Sequence, residues 1–280
     1  MEDCALDNKF IKRGDCMRAK DFEFDGRSLS SFGLVIANFG EKGLETIDGT
    51  EITFNTVSSL GGSKHHLVST TYEDCLSVTI QIVKYSCHTD IQEITSVEHR
   101  EISRWLNRKG FYKLKFFDES YIDLYYMASV KSINRIELDG RLMGLELNII
   151  TNSPHALKEP KTVIIKNLAN DGKYSINDTS YEEGYIYPYV EIIVNESGDL
   201  NIYNALEDRN TYIANCVYGE VITMDYPIIQ SSVSSHDIQN DFNWNFFRVA
   251  NTFDNSRNDL TISIPCTMKI KYSPIVKVGL

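Results

Sequence analysis

Tyr189-Val190-Glu191-Ile192-Ile193-Val194-Asn195-Glu196-Ser197-Gly198-Asp199-Leu200-Asn201-Ile202-Tyr203 holds two short apolar runs split by a polar cluster. β-branched and aromatic residues favour a pleated, half-buried surface, and Asn, Ser and Gly favour the turn between strands. The same grammar recurs around it, in Val163–Ile165, Val221–Met224, Phe246–Val249, Leu260–Ile264 and Met268–Tyr272. Short strands at this density, with little helix, predict a β-sandwich. The 16 Tyr and 13 Phe of the chain supply the thick core that two packed sheets need.

Upstream the composition changes. All 6 prolines lie from Pro154 onward, and asparagine doubles from 7 in residues 1–155 to 14 in the shorter stretch 156–280. Thr151-Asn152-Ser153-Pro154-His155 joins polar turn formers to a proline, which marks a boundary. The expected division is an extension at 1–16, a first domain at 17–155 and the sandwich at 156–280.

The first domain is also expected to be rich in strands. Asp21–Phe24, Phe32–Ile36, Val78–Ile82, Lys113–Phe116 and Leu145–Ile149 are apolar or alternate with period two. A single helix is predicted from a cap at Thr89 or Asp90, with Glu93 three residues after Asp90, to a stop at Gly110. Its stripe is Ile91, Ile94, Ile102, Trp105 and Leu106, with Trp105 read as core. Asn55–Leu67, polar and broken by Gly61-Gly62, reads as a long mobile loop. Gly61, Gly62 and His65 are its candidate assembly residues.

With 28 basic and 39 acidic residues the net charge is -11, so a nucleic-acid partner is not expected. No apolar run approaches a membrane span, and Met1–Phe10 lacks a signal-peptide core. The expectation is a chain made and folded in a cytoplasm. The six cysteines form no CxxC pair and read as free, mostly buried thiols. Motif chemistry is missing too, since no GxSxG, HExxH, Walker-type or GxGxxG run occurs. His65-His66 lacks a ligand cluster, and Glu182-Glu183 would point to opposite faces of a strand. The chain is therefore read as non-enzymatic, with no catalytic residue, cofactor or metal assigned.

Arg100, Arg104 and Arg108, spaced four apart, would stack along one helix face. They fit either a solvated face paired with Glu98 and Glu101 or an interface stripe for an acidic patch such as Asp118-Glu119 on a neighbouring subunit.

Asp21-Phe22-Glu23-Phe24-Asp25-Gly26 followed by Ser31-Phe32-Gly33-Leu34-Val35-Ile36 resembles the opening of phage distal tail proteins. Arg104-Trp105-Leu106 at the end of a helix and Asn152-Ser153-Pro154-His155-Ala156 at the close of a first domain agree. So do Gly219–Asp225 and Asn258–Ile262 as late strands. The resemblance implies a ring-forming first domain, a split barrel with one α-helix, and a galectin-like β-sandwich behind it. It further implies a homohexameric baseplate hub at the virion tail tip, synthesised in the bacterial host cytoplasm. Such a hub joins the tail tube protein to a tail tip or tail-associated lysin protein and can carry receptor-binding proteins for host attachment. Met17 would make a natural initiator. The alternative is a carbohydrate-binding module or glycosidase, with Trp244 as a stacking platform for a sugar beside Phe246 and Phe247. For these three residues the competing reading is sandwich core.

Overall fold

The computed structural model describes residues 21–37, 52–58, 64–72, 75–86, 89–117, 121 and 123–278. The expected extension at 1–16, Gly61-Gly62 and Asp118-Glu119 lie outside them. The chain is mainly β-strand and forms two compact units, one running to Leu157 with Lys277–Leu280, the other Lys158–Val276.

The first unit is built on one antiparallel sheet. Its order runs Arg27–Ser28, Phe22–Phe24, Tyr112–Phe116, Leu124–Leu138, Arg141–Thr151, Ser77–Ser86, Leu34–Ala37. The two longest strands meet at Leu138 and Arg141 across Asp139-Gly140, both at positive φ (50° and 73°). That two-residue turn matches the natural right-handed twist of a hairpin, and glycine meets no steric cost there. Alternate residues enter the core, so Leu145, Leu147 and Ile149 are buried beside Ile80 and Ile82. Phe22, Phe24, Leu114 and Phe116 fill the other end.

The helix occupies Ser96–Leu106, later than its sequence suggests. Thr89–Gln92 is a strand on Ser77–Ser86, and the Ile94 amide donates to Leu142 O at 2.7 Å. The working cap is Thr95. Its Oγ1 accepts from Glu98 N at 3.3 Å, while a Glu98 carboxylate oxygen accepts from Thr95 N at 2.9 Å. This reciprocal pair satisfies two amides that the first turn leaves open. Asn107 ends the helix before Gly110 is reached. Ile102, Trp105 and Leu106 point inward, so Trp105 is core, as read from sequence.

The second unit is the sandwich. One sheet orders Lys161–Asn167, Cys266–Tyr272, Tyr189–Val194, Val221–Asp225 and Ile228–Ser231; the other orders Gly172–Asn177, Arg257–Ile262, Gly198–Asn204 and Arg209–Cys216. The polar cluster after Val194 thus carries the chain from one sheet to the other. Val190, Ile192, Val194, Leu200, Ile222, Met268 and Ile270 are fully buried between them. Each such side chain is worth about 1.5–3 kcal/mol when removed from water. Asn258, a poor strand residue, is buried for its hydrogen bonds: Oδ1 accepts from Ala250 N at 2.8 Å and Nδ2 donates to Ala250 O at 2.9 Å. It fastens Val249–Asn251, a strand that begins later than the Phe246–Val249 run suggests; ahead of it Asn243 bonds Asn210 O through Nδ2 and accepts from Asn245 N through Oδ1. Cys216 and Cys266 are free and buried, and desolvation pushes their thiols up to about 12 and about 11. Cys75 is free and exposed.

Candidate functional site

In the first unit the helix places Trp105 and Arg104 on opposite duties. Trp105 Nε1–H donates to Phe24 O at 3.0 Å, and its ring stacks on Phe32 at 4.8 Å. Arg104 lines a recess of about 490 Å³ together with Arg27, Glu101, Trp105 and Arg108. Arg108 lies beyond the helix end, so the expected stack of three arginines on one face does not form. Its Nη1 donates to Asp25 Oδ2 at 2.8 Å, its guanidinium lies 3.8 Å over the Tyr112 ring, and its buried Nε and Nη2 make no hydrogen bond. Arg100 donates from Nε to Ser96 O at 3.2 Å on its own helix, and is not part of the recess. Arg27, absent from the sequence reading, takes its place, its guanidinium 4.0 Å over the Phe32 ring. Glu98, one expected arginine partner, instead pairs with Lys84 at 2.6 Å. That contact, with the Thr95 amide, holds its carboxyl below the usual range.

The expected long loop is corrected to a β-hairpin. Ile52–Ser58 pairs antiparallel with His65–Tyr72, apart from the large sheet, with a register shift between Asn55 and Thr56. The physical reason lies in Thr53, Thr56, Val57, Val68, Thr70 and Thr71, whose branched side chains fit strands despite their polarity. His65 stands opposite Ser58 and is exposed. Leu67 and Val68 sit at the register shift, where alternation lapses, and are 58% and 66% exposed. Phe54 is 62% exposed and Val57 60%. Neither face of this hairpin is packed in a core.

In the second unit Trp244 is 56% exposed and has φ 58°, a backbone state uncommon for a bulky residue. Only Phe246 and Phe247 are core, which corrects the core reading for Trp244. The nearby rings use one another: Tyr187 stacks on Tyr226 at 4.1 Å, and Arg248 covers Tyr185 at 3.8 Å. Arg248 also pairs with Glu207 at 2.7 Å.

The most buried charges sit elsewhere. His236 Nδ1 and Ser231 Oγ both lie 2.5 Å from one Glu220 oxygen, and Val217 N donates to the other at 2.9 Å. His236 Nε2 faces Ala214 O at 3.0 Å and Asp241 at 3.3 Å. Burial alone would raise the Glu220 carboxyl, but the Ser231, His236 and Val217 contacts outweigh it and hold the carboxyl low. Serine and histidine share one oxygen rather than each other, and Glu220 and His236 are 0% and 2% exposed. This cluster closes a loop; it is not shaped for nucleophilic chemistry. Sequence spacing gave no warning of it, because its members come from a turn, a strand end and a short helical segment.

A family model described as phage tail protein N-terminal domain matches residues 17–153, and one described as phage tail C-terminal domain matches 155–272. A search of curated proteins finds no match. Among solved structures, the chain is similar to the Dit (gp 19.1) protein of phage SPP1, described as a paradigm of hub adsorption apparatus in Gram-positive infecting phages. The TM-score is 0.58 and the identity 11%, over 90% of this chain and 98% of that one. A chain of the phage p2 baseplate, in its activated conformation with strontium, gives a TM-score of 0.43 at 9% identity, over 86% and 90%. Among the described residues no helix is long and apolar enough to cross a membrane.

Proposed function

The chain belongs to the phage tail protein family that these two domain models describe, and from that premise we propose that it is a structural hub of the tail's distal end. In this reading it forms a homohexameric ring through the first unit. The ring joins the tail tube to the tip or tail-associated lysin protein, and the galectin-like second unit faces outward, where a receptor-binding protein can attach. Its role is mechanical rather than catalytic. The shared fold with the SPP1 hub protein supports it.

The observation that carries the reading is the hairpin Ile52–Ser58/His65–Tyr72. Two strands alone are marginally stable in water, and exposed apolar strand edges invite pairing with another chain. Ile52, Phe54, Val57, Leu67 and Val68 are all exposed here. A neighbouring subunit or the tube would cover them, at about 1.5–3 kcal/mol for each side chain fully buried. A closed ring repeats one heterologous contact, so an arm on one side meeting a surface on the other is the geometry it requires. Electron microscopy of the purified protein tests this. Class averages should be rings of sixfold symmetry; a field of single small particles at micromolar concentration would contradict the proposal.

A further inference from the structure

The arginine recess of the first unit has more cationic donors than its own chain satisfies. Arg27, Arg104 and Arg108 line it together with Trp105 and Glu101, so three arginines share the lining with one glutamate. Asp25 engages only Nη1 of Arg108, leaving Nε and Nη2 buried without an acceptor. Among the described residues Arg104 makes no ion pair, and the contact of Arg27 is with the Phe32 ring. Arginines without acidic partners in a recess form a local positive surface, which a carboxylate from outside the chain would complement.

We propose that this recess receives an acidic segment of another tail protein, with a glutamate or aspartate side chain seated between Arg27, Arg104 and Arg108. Guanidinium forks match a carboxylate in two parallel hydrogen bonds, which favours this ligand over a diffuse counter-ion. Glu101 and the net charge of -11 oppose any anion, so a single carboxylate held by matched guanidinium forks is favoured over the denser charge of a polyphosphate chain. The floor is rigid, since Trp105 is pinned by its bond to Phe24 O and by its stack on Phe32. The site is therefore shaped before its partner arrives, which lowers the ordering cost of binding.

The recess lies within one chain, so its test does not depend on the ring. Fluorescence anisotropy with labelled hexaglutamate, and hexaglutamine as its control, reads binding at any oligomeric mass. Hexaglutamate should bind and weaken as salt rises, while hexaglutamine should not bind. Arg27→Gln with Arg104→Gln should reduce affinity about tenfold or more. Arg100→Gln should leave it unchanged, which a general attraction to surface charge would not. Arg108 stays intact because it also holds Asp25, and the thermal transition of each variant checks its fold. Absence of hexaglutamate binding, or binding that survives the double substitution, would overturn the proposal. Competition by inorganic phosphate stronger than by hexaglutamate would replace the acidic segment with a phosphate group. Loss of oligomeric mass in the double variant, without peptide binding, would make a second copy the occupant and overturn the assignment to another protein.

Discussion

The hairpin Ile52–Ser58/His65–Tyr72 and the sandwich strand Tyr189–Val194 are made of similar material and have opposite fates. Both are rich in branched residues and both are paired along their length with a neighbouring strand, apart from Val68 at the hairpin's register shift. Yet Val190, Ile192 and Val194 are 0% exposed, while Phe54, Val57, Leu67 and Val68 all exceed half. Secondary structure does not decide burial; the presence of a second layer does. The sandwich carries its second layer in its own chain. Among the described residues the hairpin has no such layer, and its apolar side chains are exposed.

That contrast breaks most readily through stability. Ile192→Ala should cost the second unit about 2–5 kcal/mol, because the packed core cannot close over the cavity. Val57→Ala on the hairpin should stay within about 0.5 kcal/mol in the monomer, since it removes a side chain that already faces water. Urea unfolding of both variants measures the difference, and equal losses would show that the hairpin is held by a core after all.

Acid sharpens the same comparison through Glu220. A carboxyl held below its ordinary value of 4.5 contributes stability at higher pH and loses it as pH falls through its folded value. The second unit should therefore weaken below about pH 4.5, and Glu220→Gln should flatten that dependence. The hairpin has no comparable buried carboxylate among its described residues. Unfolding monitored between pH 3 and 7 in wild type and variant decides this, and an unchanged acid limb would remove Glu220 from the account.

The smallest effect belongs to the helix cap. Thr95→Ala should cost about 1 kcal/mol, because Glu98 loses its reciprocal partner. Asp90→Ala should cost less, which would locate the helix start by energetics rather than by coordinates. Chemical denaturation of the pair reads it, and the reverse order would contradict the cap.

How far the sequence was legible follows the same line. Short branched and aromatic runs between Asn, Asp, Gly and Ser clusters revealed the sandwich strands. Period-two alternation revealed Val78–Ile82, Lys113–Phe116 and Leu145–Ile149, because their apolar side chains fill a core. The hairpin escaped because it has two wet faces, so its Thr and Ser read as loop. The helix start was displaced because Asp90 and Glu93 imitate the spacing that Thr95 and Glu98 actually use. Asp139-Gly140 is a strong hairpin signal, and the two longest strands meet across it, but no branched or aromatic run beside it stood out as a strand before Leu145–Ile149. The recess was half visible: Arg104 and Arg108 stand out in an acidic chain, but nothing local joins Arg27 to them. The pairing of Phe22–Phe24 with Tyr112–Phe116, with the Trp105 bond to Phe24 O and the Arg108 pair with Asp25, brings those segments together.

The account rests on the hairpin as an arm for assembly, and sedimentation velocity tests that most directly. Wild-type protein should sediment as a hexamer or a stack of rings. A variant in which a short Gly-Ser turn replaces residues 52–72 should sediment as a folded monomer with the second unit's thermal transition unchanged. A hairpin-less protein that keeps the full oligomeric mass, or a wild type that remains monomeric, would contradict it.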